Sequence, residues 1–221
     1  MPKVPPITVK ATDRVAFVGK TQSGKTHAAG LLLLGVPRLL VLDPKGRLSD
    51  RARRAGGKYS WNLADWESKE GRAARESIAR GGAGRLRVPA PIGGDYEPYL
   101  EWAYRQESIT VYIDELYGVA GGSTRPGVWL NALYTRGAEL GIGTWSATQR
   151  PANVPVVAFS EAEWLVLFRL TKPADIKRME EEIGPDARRR LHPREFLLYN
   201  DVWDSPKFYP YIVGKPSRKR G

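Results

Sequence analysis

Gly19-Lys20-Thr21-Gln22-Ser23-Gly24-Lys25-Thr26 is a complete phosphate-binding loop, set directly after the apolar run Val15-Ala16-Phe17-Val18. The spacing serves one chemistry. The two glycines let the backbone wrap so that successive N–H groups point at phosphate oxygens, and a helix starting after Gly24 adds the positive end of its dipole. Lys25 then reaches the β- and γ-phosphates, and Thr26 is placed to ligate Mg²⁺. The binding set read from the sequence is Gly19, Lys20, Thr21, Gln22, Ser23, Gly24, Lys25, Thr26 and His27. The expected ligand is a nucleoside triphosphate with its Mg²⁺.

A second group of reactive side chains lies far downstream. Asp114-Glu115 ends the β-branched, aromatic run Ile109–Ile113, and the carboxyl ends of strands are where open parallel sheets collect ligand-binding groups. This is a Walker B pattern. Its two carboxylates have different tasks: Asp114 would hold the Mg²⁺ shell together with Thr26, while Glu115 would polarise the attacking water. Gln149, in Thr148-Gln149-Arg150-Pro151, closes a further expected strand. Its amide could hydrogen-bond the γ-phosphate or that water and report whether hydrolysis has occurred.

These residues need strands and helices to hold them. Residues 1–13, with Pro2 to Pro6, read as an extended arm, and 14–213 as a single α/β domain. Within it, Arg14–Gly19 is the first core strand, Gly24–Leu34 a helix, and Leu39–Leu42 a strand buried on both faces, ending in Asp43-Pro44-Lys45-Gly46. Residues 47–95 read as irregular decoration, with a helix over Ala64–Arg80 and a short strand at Leu86–Val88. Tyr96–Gln106 is helical by its Tyr96, Tyr99, Leu100, Ala103 spacing. A Gly-rich loop, Gly118–Gly127, leads to a helix over Val128–Glu139, a strand at Gly143–Ala147, another at Trp164–Leu170 and a helix from Pro173 to Gly184. Glu195–Tyr199 and Phe208–Val213 read as edge strands, and 214–221 as a disordered basic tail.

Composition narrows the function classes. The chain has 221 residues, no cysteine and two histidines, which excludes disulfides, thiolate nucleophiles and Cys-based zinc sites and leaves nucleotide-bound Mg²⁺ as the expected metal. No apolar run approaches the ~18 residues of a membrane span. The runs around Leu31–Leu34 and Trp164–Leu170 read as a buried helix turn and a buried strand, and the N-terminus lacks a signal-like segment, so a soluble, intracellular protein is expected. The net charge of +11 points to a polyanion partner beyond the nucleotide, nucleic acid first. Its clusters are Arg47-Arg51-Arg53-Arg54-Lys58, Arg72-Arg75-Arg80-Arg85-Arg87, Arg188-Arg189-Arg190 and the tail Arg218-Lys219-Arg220. Each can equally be a solvated face with salt bridges.

The phosphate loop, Leu-Asp-Pro-Lys-Gly after the second strand, Ile-Asp-Glu, and Ala-Thr-Gln-Arg-Pro followed by Asn153-Val154-Pro155 together resemble the FtsK/HerA superfamily of DNA-pumping ATPases, from about Arg14 to Tyr199. The small size resembles the genome-packaging ATPases of membrane-containing icosahedral viruses. The resemblance implies a RecA-like (ASCE) P-loop NTPase fold with a central, mostly parallel sheet flanked by helices, and ATP as the nucleotide. It also implies a homo-oligomeric ring, usually a hexamer, with an arginine supplied in trans. Arg136, in Tyr-Thr-Arg-Gly-Ala-Glu-Leu-Gly, is the first candidate by motif position, with Arg150 and Arg169 as alternatives. The implied partners are double-stranded DNA and a capsid or membrane protein, with the protein in host cytoplasm or on the virion. Gly118–Gly127, with Arg125, is then expected to face the channel and grip phosphate backbone. Two other classes stay open: a slow regulatory nucleotide switch that docks a protein, and a nucleotide kinase, which needs a lid and an acceptor site.

Overall fold

Side chains along the strands alternate between two separate apolar cores, as the period of two in an extended chain requires. In β1 (Val15–Val18), β2 (Arg38–Asp43) and β5 (Thr110–Ile113), residues Ala16, Val18, Leu40, Leu42, Val111 and Ile113 enter one core. Val15, Phe17, Leu39, Val41 and Tyr112 enter the other. Both faces are therefore covered by helices. Continuous apolar strands fit a sheet buried on both sides. In the computed structural model, residues 8–46, 48, 61–91 and 94–210 are described. The N-terminal arm before residue 8, the cluster Arg47-Arg51-Arg53-Arg54-Lys58, positions 211–213 of the last expected strand and the basic tail lie outside the described residues.

The remaining strands are β3 (Ala64–Asp65), β4 (Gly84–Pro89), β6 (Gly143–Thr148), β7 (Trp164–Phe168), β8 (Phe196–Asn200) and β9 (Lys207–Tyr209). They form one sheet in the order β3-β4-β2-β5-β6-β1-β7-β8-β9. Every pairing from β3 to β7 is parallel, and β8 and β9 are added antiparallel. The mostly parallel sheet of a P-loop NTPase is therefore present, with β6 between β5 and β1.

Helix α1 (Lys25–Leu33) contributes Ala28, Ala29 and Leu33 to the core that holds Phe17 and Trp145. On the opposite face lie α2 (Lys69–Ala79), α3 (Glu97–Gln106), α5 (Val128–Arg136) and α7 (Pro173–Ile183), whose Ile78, Leu100, Leu133 and Met179 pack together. Two single-turn helices, α4 (Leu116–Val119) and α6 (Val157–Ser160), follow β5 and precede β7 respectively. Among the described residues no helix is long and apolar enough to cross a membrane.

Several boundaries differ from the sequence expectation. The helix expected from Ala64 begins at Lys69, because Ala64–Asp65 pairs with β4 and the Ser68 side chain accepts from the Gly71 N–H as the N-cap. Leu31–Leu34 is not a buried turn: Leu33 is fully buried, whereas Leu32 and Leu34 are exposed. β8 is no edge strand, since β9 covers it. The cluster at 72–87 is largely turned inward. Arg87 is buried against Asp43 and Asp65, Arg85 binds the carbonyls of Trp61 and Leu33, and Arg75 stacks on Trp66.

Candidate active site

The phosphate loop is tied to the strands on either side of β1. The Gly19 N–H donates to the Thr148 carbonyl at the end of β6 (3.1 Å), and the Lys20 N–H to the Arg169 carbonyl just after β7 (3.0 Å). Gly19, at φ +154°, leaves no room for a side chain, because a Cβ there would come within 2.6 Å of the Phe168 Cβ. Gly24, at φ +118°, opens α1 without a side-chain cap, the arrangement in which a helix start takes an anion. Lys25 is buried, its Nζ donating to the carbonyls of Gly19 (2.6 Å) and Lys20 (2.9 Å). The Ser23 hydroxyl is buried inside the loop with no hydrogen-bond partner among the described residues. A cradle that excludes a Cβ, an orphaned hydroxyl and an ammonium bent over the loop fit a triphosphate.

Thr26 and Asp114 meet beside this loop. Thr26 Oγ1 donates to Asp114 Oδ1 at 2.9 Å, and the Tyr112 hydroxyl donates to the same oxygen at 2.8 Å. Burial pushes the Asp114 carboxyl above its ordinary range and the Asp43 charge adds to this, while the Tyr112 and Thr26 hydroxyls and Lys45 oppose it. A hydroxyl and a carboxylate are hard oxygen donors. Among the described residues no group of three or more His, Cys, Asp or Glu side chains could hold a metal alone. That donor set suits Mg²⁺, which takes one or two protein oxygens and completes its shell with phosphates and water.

Glu115, mostly buried, is held by three donors from two residues. Its Oε2 accepts from Lys45 Nζ (2.8 Å) and from Gln149 Nε2 (2.8 Å), while Oε1 accepts from the Gln149 backbone N–H (3.4 Å). The Gln149 side-chain Oε1 accepts in turn from the Thr21 hydroxyl. A chain of bonds thus runs from the phosphate loop through Gln149 to Glu115 and Lys45. Of the sequence-predicted residues, Gly19 through Thr26, Asp114, Glu115 and Gln149 converge at the carboxyl edge of the sheet. His27 is exposed on the first turn of α1; partial burial and then the charge of Arg194 lower its imidazole pKa.

The three arginines have different surroundings. Arg136 is the exposed last residue of α5, after which Gly137–Leu140 turns toward the start of β6. Nearby, Arg14, just before β1, binds the Tyr134 carbonyl at 3.2 Å and pairs with Glu161 and Glu163. Arg136 therefore sits at the amino edge of the sheet, separated from the phosphate loop by the length of β6, roughly 20 Å. Arg150 pairs with the buried Asp175 at 3.1 Å, whose other oxygen accepts from the Ala152 N–H. Arg169 is half-buried beside the loop, its carbonyl already used by Lys20.

Sequence reasoning named Lys45 only within a motif and gave Tyr112, Arg194 and Trp61 no part in the site. Trp61 stacks on Tyr112 with centroids 5.6 Å apart and lies against Gly30 of α1. The available signal was position. Lys45 follows a strand end on the same sheet edge as Asp114, where loops from parallel strands meet. The loop after Glu115 also begins later than expected: Leu116–Val119 is helical, Ala120 is partly buried against the core, and the exposed loop starts at Gly121, with Gly121 and Gly122 at φ +61° and +71°.

A scan of protein-family models found no match to this chain, and neither did a search of curated proteins. Solved structures do match. The genome-packaging NTPase B204 of Sulfolobus turreted icosahedral virus 2, in complex with AMPPCP, superposes with a TM-score of 0.72 at 17% identity, covering 93% of this chain and 100% of that one. B204 of Sulfolobus turreted icosahedral virus, described as a DNA-packaging ATPase, gives 0.69 at 17% identity over 91% and 98% of the two chains. VirB4 of Thermoanaerobacter pseudethanolicus gives 0.62 at 10% identity over 95% and 94%. These superpositions show that the chain shares the fold of the B204 packaging NTPases and of VirB4.

Proposed function

We propose that this chain hydrolyses ATP with Mg²⁺ and uses the cycle to translocate double-stranded DNA, packaging a viral genome into a preformed capsid. One observation carries the catalytic part: Thr26 with Asp114, and Gln149 with Glu115, are paired by hydrogen bonds on one sheet edge beside the phosphate loop. The likeness to packaging ATPases supports the choice of DNA as cargo, as does the +11 charge. Movement independent of sequence needs phosphate contacts rather than base reading.

In this reading Gly19 to His27 bind the nucleotide, and Lys25 swings from its loop carbonyls to the β- and γ-phosphates. Thr26 and Asp114 hold the metal, which when bound neutralises charge developing on the phosphoryl oxygens. Glu115 orients and polarises water, and Gln149 links that carboxylate to Thr21 of the loop. Arg136 completes the site of an adjacent copy in a homo-oligomeric ring, the hexamer being the arrangement that the resemblance implies. Its position at the amino edge, away from its own phosphate loop, supports a role in trans, and such an arginine contributes ~10³–10⁵ in rate. Arg150, paired with Asp175, and Arg169, beside the loop, are the alternatives. The exposed loop from Gly121 to Gly127, with Arg125, contacts the DNA backbone, and a capsid or membrane protein anchors the ring.

Steady-state ATP hydrolysis with and without double-stranded DNA, across protein concentration and salt, tests this against a Glu115→Gln control. The expected result is turnover that DNA stimulates, that rises steeply with protein concentration and that the control lacks. Turnover indifferent to both DNA and concentration would remove translocation and leave a switch or a kinase.

A further inference from the structure

The Asp43-Pro44-Lys45-Gly46 turn is built with one fixed end and one exposed end. Asp43 is fully buried at the end of β2, where its Oδ2 accepts from the Leu48 N–H (2.8 Å) and meets Arg87 (3.3 Å). The turn closes through the Gly46 N–H on the Asp43 carbonyl (2.9 Å), and Gly46 takes the left-handed conformation, φ +61°. Lys45 projects from it with its side chain 41% exposed, yet its Nζ reaches back to Glu115 Oε2 at 2.8 Å. The Gln149 amide binds the same oxygen.

An oxygen that already accepts an ammonium and an amide is poorly placed to take a proton from water. General-base action needs a carboxylate oxygen within hydrogen-bond reach of the water it polarises, and charge-assisted bonds are the harder ones to give up. The strand end that supplies Glu115 continues directly into α4. Gly118 of that helix lies against Pro44, where a Cβ would come within 3.5 Å of the ring, and α4 leads into the exposed Gly121–Gly127 loop. The loop, the carboxylate and the lysine turn therefore share one mechanical junction.

We propose that Lys45 is a positioning residue that restrains Glu115, and that displacement of the Pro44-Lys45 turn through α4 releases the carboxylate when the Gly121–Gly127 loop is engaged. The proposal rests on the hydrolytic reading of Glu115. Binding of a triphosphate assists, since it offers the ammonium a competing anion beside the loop.

The test compares Lys45→Met and Lys45→Arg with the unmodified full-length chain, in hydrolysis and in stability. Lys45→Met is expected to raise the DNA-free kcat about three- to tenfold with KM little changed, the loss of one partly exposed ion pair. It should shrink the stimulation by double-stranded DNA in proportion, while Lys45→Arg keeps the low DNA-free rate. Urea unfolding of Lys45→Met, Glu115→Gln and the double variant reads the pair without any hydrolysis: the cost of losing Lys45 should largely vanish in the Glu115→Gln background. Strict additivity in that cycle overturns the proposal whatever the enzyme does. A folded Lys45→Met whose DNA-free kcat is unchanged overturns it as well, and one whose kcat falls toward that of Glu115→Gln overturns it and assigns Lys45 to the reaction instead. Were the unmodified chain inactive, hydrolysis itself would fail and the restraint with it, and the unmodified rate alone identifies that case.

Discussion

Thr26, in the first turn of α1, and Asp114, just past the end of β5, are anchored by strands that do not touch, β1 and β5 with β6 between them, yet the threonine hydroxyl donates to the carboxylate at 2.9 Å. The aspartate is thereby aimed across the end of β6 at the phosphate loop, and Tyr112 fixes the same oxygen from its own strand. Such an arrangement fixes a buried carboxylate beside the phosphate loop.

Asp114→Asn should separate the two consequences. Burial raises the folded-state pKa of Asp114, so its share of stability is full below the ordinary carboxylate range and is lost as pH rises through the raised value. Asparagine cannot ionise and can still accept both hydroxyl bonds. The variant should melt about 2–4 °C higher at pH 7, the gain shrinking at pH 4, while Mg²⁺-dependent nucleotide binding weakens. A lower melting point at pH 7 counts against a buried charge at this position.

Gly19→Ala addresses the loop itself. The added methyl meets the Phe168 Cβ at 2.6 Å, and relieving that overlap costs roughly 1–3 kcal/mol. Titration with a fluorescent nucleotide should show binding largely lost. Gly35→Ala is the control, because nothing lies within 4 Å of a Cβ there, and it should bind as well as the unmodified chain.

The imidazole of His27 should titrate below its usual 6.5, through partial burial and then the nearby Arg194. A depressed base contributes stability that is present above the unfolded value and lost as pH falls through the folded one. Acidification from pH 7 to 5 therefore destabilises the fold, and Arg194→Gln should lessen the loss and move the His27 resonance titration upward. An NMR midpoint unaffected by Arg194→Gln would place the cause elsewhere.

Glu97 of α3 caps α5 from a distance: its Oε2 accepts from the Trp129 N–H (2.8 Å) and its Oε1 from that of Leu130 (3.4 Å). Glu97→Ala should cost about 1 kcal/mol. Hydrogen exchange should speed up at the start of α5 and in the Gly121–Gly127 loop that precedes it; protection unchanged there contradicts the capping role.

What was legible in the sequence was what depends on near neighbours. The phosphate loop, the apolar runs of β2 and β5 and the acidic pair at 114–115 are local patterns, and they landed on the expected strand ends. What was hidden depends on partners distant in the chain. Nothing near Arg87 announces that Asp43 and Asp65 will neutralise it, so an inward-facing ion network looked like part of a basic patch. Glu97 and Lys45 were invisible as a cap and a carboxylate partner for the same reason. Ala64–Asp65 was missed because two residues carry no period, and only the neighbouring β4 makes them a strand. Leu32 and Leu34 were misjudged because an apolar helix turn does not say which of its sides the sheet will cover.

The place of β6 between the two chemical strands has a further meaning. Adjacent strands lie ~4.8 Å apart, so an intervening strand sets the ends of β1 and β5 at roughly 10 Å. That width is fixed by backbone hydrogen bonds, not by any side chain lining the gap. The sheet is in this sense a gauge: it holds the loop and the carboxylates at a constant span, and Gln149 sits at its midpoint. Replacing side chains can blunt the chemistry at either end, but changing the gauge would require breaking the ladder itself.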